Sequence, residues 1–227
     1  MIPTADEIRE RHGRLLARLR AVAEASDHDP DRLRVLAVTK AWPVEVARAA
    51  VDAGLTMLGE SRVQEAEPKI RDLPTAEWHL VGRLQSNKVR RAVRAFEVIH
   101  SVDSPSLLAQ LARVAAEEGR SPRLLLQVNV TGEAAKGGMT PEALLAMAGE
   151  IGGGSVIGLM TIARMGATNE EARATFGQLR ELRDRARDAS GEPLAELSMG
   201  MSDDAEAAAA EGATLVRIGT ALFGPRA

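Results

Sequence analysis

The chain has 227 residues, 45% of them hydrophobic and 27% charged, and a formal net charge of -3. That balance fits a globular chain with a full core and argues against extended disorder, and the small negative charge gives no global attraction to nucleic acid or an acidic membrane. Cysteine is absent, which excludes disulfides, thiolate catalysis and cysteine-bound zinc.

The first residues, Met1-Ile2-Pro3-Thr4-Ala5-Asp6-Glu7, lack a basic region followed by an apolar stretch. No run approaches the roughly 18 apolar residues that a membrane helix needs, so a cytoplasmic protein is expected. Residues 5–24 read as a first helix, opened by Thr4 and Glu7 at capping-box spacing. Short apolar segments then recur at 35–39, 56–59, 78–82, 97–101, 124–130, 156–161, 195–199 and 214–218, each with the length and content of a buried strand. Helical segments follow them at 44–53, 61–70, 86–95, 104–118, 141–150, 169–188, 203–211 and 221–223.

Strict alternation of strand and helix implies parallel pairing through right-handed crossovers, and eight units suffice to close a (β/α)8 TIM barrel. A doubly wound open sheet is the alternative, but no G-x-G-x-x-G or Walker pattern follows any strand. The triplet Gly152-Gly153-Gly154 precedes a strand and reads as a helix-to-strand turn. No linker or shift in composition divides the chain, so residues 1–227 are expected to form one barrel domain with an extra N-terminal helix.

Lys40 ends the first strand segment, just before Ala41-Trp42-Pro43. Only four of the 29 basic residues are lysine, namely Lys40, Lys69, Lys88 and Lys136. Arginine serves equally as a surface cation but stays protonated, whereas a desolvated lysine can be an amine nucleophile. Lys40 is thus a candidate reactive amine, although an arginine-rich genome would produce the same count.

Side-chain alternation puts Lys40 on the face of Leu36 and Val38, pairs Gln127 with Asn129, and sets Arg217 on the face of Leu215. Helix-facing positions favour apolar residues, so these polar groups are expected inside the barrel, facing either a ligand or an internal hydrogen-bond network. After the seventh strand comes Ser198-Met199-Gly200-Met201-Ser202-Asp203-Asp204, and after the eighth Arg217-Ile218-Gly219-Thr220. Small and hydroxyl residues there suit a phosphate, at the place where barrel enzymes often bind one, although Ser202 could equally be a helix cap. An amine, a phosphate cradle and a strand-end arginine together fit pyridoxal 5′-phosphate (PLP).

The segments Ala37-Val38-Thr39-Lys40, Leu58-Gly59-Glu60, Trp78-His79-Leu80-Val81-Gly82 with Leu84-Gln85-Ser86-Asn87-Lys88, Gln127-Val128-Asn129, Gly158-Leu159-Met160, Ser198-Met199-Gly200-Met201-Ser202-Asp203-Asp204 and Arg217-Ile218-Gly219-Thr220 occur in order along nearly the whole chain. In these it resembles the pyridoxal phosphate homeostasis protein family, single-domain barrels similar to the N-terminal domain of alanine racemase. The resemblance implies that Lys40 holds the cofactor as a lysine aldimine. It also implies that Ser202, Gly219 and Thr220 hold the phosphate with backbone help from Met201, that Arg217 faces the pyridine nitrogen, and that His79, Asn129 and Met160 line the pocket. One departure stands out, because many relatives carry Asn after the Gly-Glu pair where this chain has Ser61. Lys88 and Lys136 read as secondary amines or surface charges.

An arginine at the pyridine nitrogen weakens the electron sink needed for carbanion chemistry. Alanine racemase pairs its lysine with a tyrosine and adds a second, β-rich domain; this chain has no tyrosine. The expectation is therefore a non-catalytic carrier or buffer of PLP in vitamin B6 and amino-acid homeostasis. A restricted PLP-dependent racemase and a cofactor-free lysine aldolase are the alternatives. His12, His28, His79 and His100 are scattered, so no required metal is expected. A monomer is expected, without nucleic-acid or membrane partners. The basic stretch holding Lys88, Arg90, Arg91 and Arg94 is either a solvated helix face or a contact for PLP-dependent recipient enzymes.

Overall fold

Thr4 and Glu7 each bond the other's backbone, Glu7 N–H to Thr4 Oγ1 at 3.3 Å and Thr4 N–H to Glu7 Oε2 at 2.7 Å. This capping box starts α1 (Ala5–Ala25), whose buried stripe of Ile8, Leu15, Leu19 and Ala23 lies on one helical face. The computed structural model describes residues 2–133 and 137–225.

Beyond α1 the chain repeats one unit: β1 (Arg34–Val38), α2 (Val44–Asp52), β2 (Met57–Glu60), α3 (Val63–Asp72), β3 (Glu77–Leu80), α4 (Val89–Ala95), β4 (Val98–Val102), α5 (Pro105–Glu118), β5 (Arg123–Gln127), α6 (Pro141–Ala146), β6 (Val156–Met160), α7 (Asn169–Ser190), β7 (Glu196–Ser198), α8 (Ala205–Ala210), β8 (Leu215–Ile218) and α9 (Thr220–Phe223). Every strand pairs in parallel with its neighbours, and β1 meets β8 to close the barrel. The expected (β/α)8 TIM barrel with an N-terminal helix is the observed fold. α1 packs on α2, α8 and α9, extending the helical ring across the β8–β1 seam.

Alternation along each strand separates two environments. Ala37, Leu58, Trp78, Ile99, Leu126 and Val216 face the helices within the main core. The opposite face fills the barrel with two smaller apolar clusters, Leu36, Val38 and Leu215 on one side and Val98, Leu125 and Met160 on the other.

Most boundaries fall within two residues of the sequence expectation, and three depart further. The helix expected over 86–95 begins as a 3-10 turn, Ser86–Lys88, before α4, and the one expected over 141–150 breaks after Ala146 and resumes as the 3-10 turn Ala148–Glu150. β5 stops at Gln127 instead of running to residue 130. Met139 returns there, donating to the Gln127 carbonyl and accepting from the Asn129 N–H, both at 2.9 Å, so the chain peels away from the barrel.

Candidate functional site

Lys40 follows β1 at a turn with little backbone freedom. Ala41 adopts φ +61°, a left-handed conformation uncommon for a residue with a Cβ, and the Trp42 N–H donates to the Thr39 carbonyl at 3.1 Å. This turn places Lys40 in the wall of a cavity of about 220 Å³ at the C-terminal end of the barrel, the end at which barrel enzymes build their sites. Met201, Ser202, Arg217, Gly219 and Thr220 share that wall. The cavity therefore gathers Lys40 with residues from the loops after β7 and β8, some 160 positions away along the chain. At one side Trp42 meets Phe223 edge-on, with ring centroids 6.3 Å apart.

The two loops are tied together, because the Ser202 hydroxyl accepts the Ala221 N–H at 3.3 Å and keeps its own hydrogen to donate. A Cβ on Gly219 would come within 3.3 Å of the Val38 carbonyl oxygen, so glycine leaves room there that another residue would fill. Gly200, at φ +88°, turns the chain tightly against Ala208, where a Cβ would lie only 2.5 Å from the alanine methyl. The Met201 N–H, expected to assist a phosphate, donates instead to Asp204 Oδ1 at 2.5 Å. Burial pushes the Asp204 carboxyl above the ordinary carboxylate range, opposed by that hydrogen bond and by the Arg217 charge.

Arg217 forms part of the floor. Its Nη1 donates to the Ser198 carbonyl and hydroxyl at 2.7 and 2.8 Å, and Nη2 donates to the Thr161 carbonyl at 2.8 Å. Burial lowers its pKa to about 10, partly offset by Asp204, so the guanidinium stays charged at neutral pH. These contacts engage three of its five N–H groups.

The cavity lining does not include His79, Asn129 or Met160, which the family resemblance had set in the pocket. His79 lies deeper, 3% exposed, with its Nδ1 against His100 and its Nε2 against Glu77. Met160 is wholly buried between Val98 and Leu125. Asn129 sits past the end of β5, where its side-chain amide donates to the Glu133 carbonyl at 2.8 Å. Lys136 lies outside the described residues. Lys88 is half-buried at the start of α4 and lines a separate surface cleft with Arg83 and Ser61.

Sequence reading missed a buried ion pair behind the reactive-lysine turn. Lys69 Nζ contacts Glu60 Oε1 at 2.6 Å and the Thr39 carbonyl at 2.9 Å, and Thr39 Oγ1 donates to the same Glu60 oxygen at 2.7 Å. The scarcity of lysine was a signal for Lys69 as much as for Lys40. Among the described residues, no set of three or more His, Asp or Glu side chains is placed to share a metal ion, and no helix is long and apolar enough to cross a membrane.

Residues 12–227 match the family model for the alanine racemase N-terminal domain. A pyridoxal phosphate homeostasis protein from Synechocystis is 41% identical over 203 residues, covering 87% of this chain and 93% of the relative. Its counterpart from Aquifex aeolicus is 40% identical over 223 residues, 96% of this chain and 97% of that one. The structure of PipY from Synechococcus elongatus with PLP bound superposes with a TM-score of 0.82 at 42% identity, covering 96% of this chain and all of the other. The family match, the barrel and the near full-length similarity agree, and the chain belongs to the pyridoxal phosphate homeostasis protein family, within the broader alanine racemase N-terminal domain family.

Proposed function

We propose that this protein holds pyridoxal 5′-phosphate reversibly in the cavity at the C-terminal end of the barrel and acts as a carrier or buffer in vitamin B6 and amino-acid homeostasis. The observation that carries the reading is the convergence of Lys40, Ser202, Gly219, Thr220 and Arg217 on one cavity. The space left by Gly219 and the free hydrogen of Ser202 fit a phosphate, and PLP is present in the similar PipY structure.

When bound, PLP supplies an aldehyde that condenses reversibly with a neutral amine. Lys40, half-buried in the cavity wall at the turn after β1, would provide that amine. Ser202, Gly219 and Thr220 bind the phosphate through hydroxyl and backbone donors. Arg217 presents a fixed cation at the floor, which disfavours proton uptake by a basic ring nitrogen beside it. Asp204 must release the Met201 N–H before that donor can serve an anion. His79 and Met160 support the floor from below, and Asn129 borders the loop after β5.

No residue is assigned to net catalysis, since no tyrosine exists to complete a two-base racemase. We place the protein in the cytoplasm, as one domain and as a monomer, with PLP-dependent enzymes as the recipients of its cofactor. A stable dimer in sedimentation at low concentration would overturn the monomer.

The test is a visible absorption spectrum of the protein with PLP, before and after borohydride, beside Lys40→Ala. The reading expects a yellow band that the variant loses and a reduced adduct that maps to Lys40. A band undiminished in the variant would remove Lys40 as the anchor. Lys40-dependent exchange of an amino acid α-hydrogen in deuterated water would replace the carrier with an enzyme.

A further inference from the structure

Beneath the cavity a single file of polar side chains crosses the barrel interior between the two apolar clusters. Arg217 Nη1 contacts Ser198 Oγ at 2.8 Å, Ser198 Oγ contacts His100 Nδ1 at 2.9 Å, His100 Nε2 contacts His79 Nδ1 at 2.9 Å, and His79 Nε2 contacts Glu77 Oε1 at 2.7 Å. Arg123 Nη2 then donates to Glu77 Oε2 at 2.5 Å, at the opposite end of the barrel. Five strands contribute: β8, β7, β4, β3 and β5.

The chemistry of the two ends decides every proton between them. Glu77, held down to about 2 by the His79 hydrogen bond and by Arg123, is a carboxylate that can only accept. Arg217 is a guanidinium that can only donate. Burial lowers the pKa of His79, and that of His100 well below the usual range. Of the charged groups around the rings, only Glu77 favours an imidazolium; Arg34, Arg123 and Arg217 oppose one. With both rings neutral, His79 must carry its proton on Nε2 to serve Glu77, so its Nδ1 accepts. His100 must then donate from Nε2, leaving its Nδ1 to accept the Ser198 O–H, and Ser198 accepts from Arg217. Reversing any link would put two donors or two acceptors face to face, or add a buried cation beside Arg217.

We infer that His79, His100 and Ser198 form a hydrogen-bonded strut of one fixed direction that holds Arg217 in place. They are positioning residues, acting through Arg217. The strut rests on the proposed function only for the identity of the ligand above it. Its consequence is that the floor offers that ligand a cation held in one position.

Long-range proton–nitrogen NMR of ¹⁵N-histidine-labelled protein, recorded without ligand between about pH 5.5 and 8.5, tests this. The expected spectrum has His79 and His100 both as neutral Nε2–H tautomers that do not titrate across that range. Glu77→Gln is expected to mix the His79 tautomers and also to shift His100, which Glu77 does not touch; a purely structural role would leave His100 unmoved. An imidazolium, an Nδ1–H tautomer on either ring, or a variant in which His100 keeps its wild-type signals would overturn the strut. The wild-type spectrum decides even if the variant fails to fold. Absence of PLP binding would sink the proposed function while leaving this result standing.

Discussion

Lys69 Nζ lies 2.6 Å from Glu60 Oε1 and 2.9 Å from the Thr39 carbonyl oxygen, so one buried ammonium ties α3 to the last turn before Lys40. The side chains of Lys69 and Glu60 are only 8% and 0% exposed. Glu60 Oε2 has no hydrogen-bond partner within the described structure, so the carboxylate depends on the contacts of its other oxygen.

Lys69→Met should therefore destabilise the protein by about 3–5 kcal/mol, the usual penalty for stranding one member of a buried pair. Lys69→Met combined with Glu60→Leu should recover much of that loss, because an apolar pair of similar volume has no charge to desolvate. Urea denaturation of both variants measures the difference. Equal stability in the single and double variants would show that the stranded Glu60 carboxylate carries no penalty.

Glu77 provides a pH dependence with a definite sign. Its folded pKa lies near 2, below the ordinary 4.5, so its contribution is present above about pH 4.5 and is lost as pH falls toward 2. After allowance for the solvent its partly exposed carboxylate still meets, that contribution is about 1–2 kcal/mol. Glu77→Gln should be less stable at neutral pH and should flatten the decline on acidification. Urea midpoints measured at a series of acid pH values check both effects.

Asp204 would compete with the phosphate that we propose the cavity holds. Its carboxylate holds the Met201 N–H and would repel an anion, and burial raises its folded pKa. A group shifted in this direction contributes stability below its unfolded pKa that is lost as pH rises through the folded value. Asp204→Asn should remove that loss and bind PLP about tenfold more tightly at neutral pH, the scale of one screened charge–charge contact. Titration calorimetry should show wild-type affinity approaching that of the variant as pH falls. A variant that binds more weakly throughout would mean that Asp204 orders the loop more than it repels the ligand.

Gly82 tests how closely the backbone segments pack. A Cβ there would lie 2.1 Å from the Ser61 carbonyl oxygen, a backbone atom that cannot swing aside. Gly82→Ala should cost about 3 kcal/mol, the upper end of ordinary overpacking. Gly149, with open space around the corresponding position, should accept alanine with little change. Thermal unfolding of the two variants provides the comparison.

The eight βα units, the buried strands and the strand-end position of Lys40 were legible in the sequence because they depend on local periodicity. A side-chain repeat of two marks strands, one of 3.6 marks helices, and their alternation leaves parallel pairing as the workable arrangement. The same alternation put Arg217 inside the barrel, and the residues singled out after strands seven and eight line the cavity that holds Lys40. The partners of these groups came only from the tertiary structure. His100 reaches Ser198 across 98 positions, and Arg217 reaches the Thr161 carbonyl across 56. Nothing local to either strand specifies such a contact, because the stagger at which the sheet closes decides which inward residues share a layer. Asn129 left the expected strand because Met139 claimed its backbone, and His79 turned toward Glu77 and His100 because a buried imidazole needs partners for both nitrogens. Local sequence thus determined which faces are polar, and closure of the barrel decided what those polar groups meet.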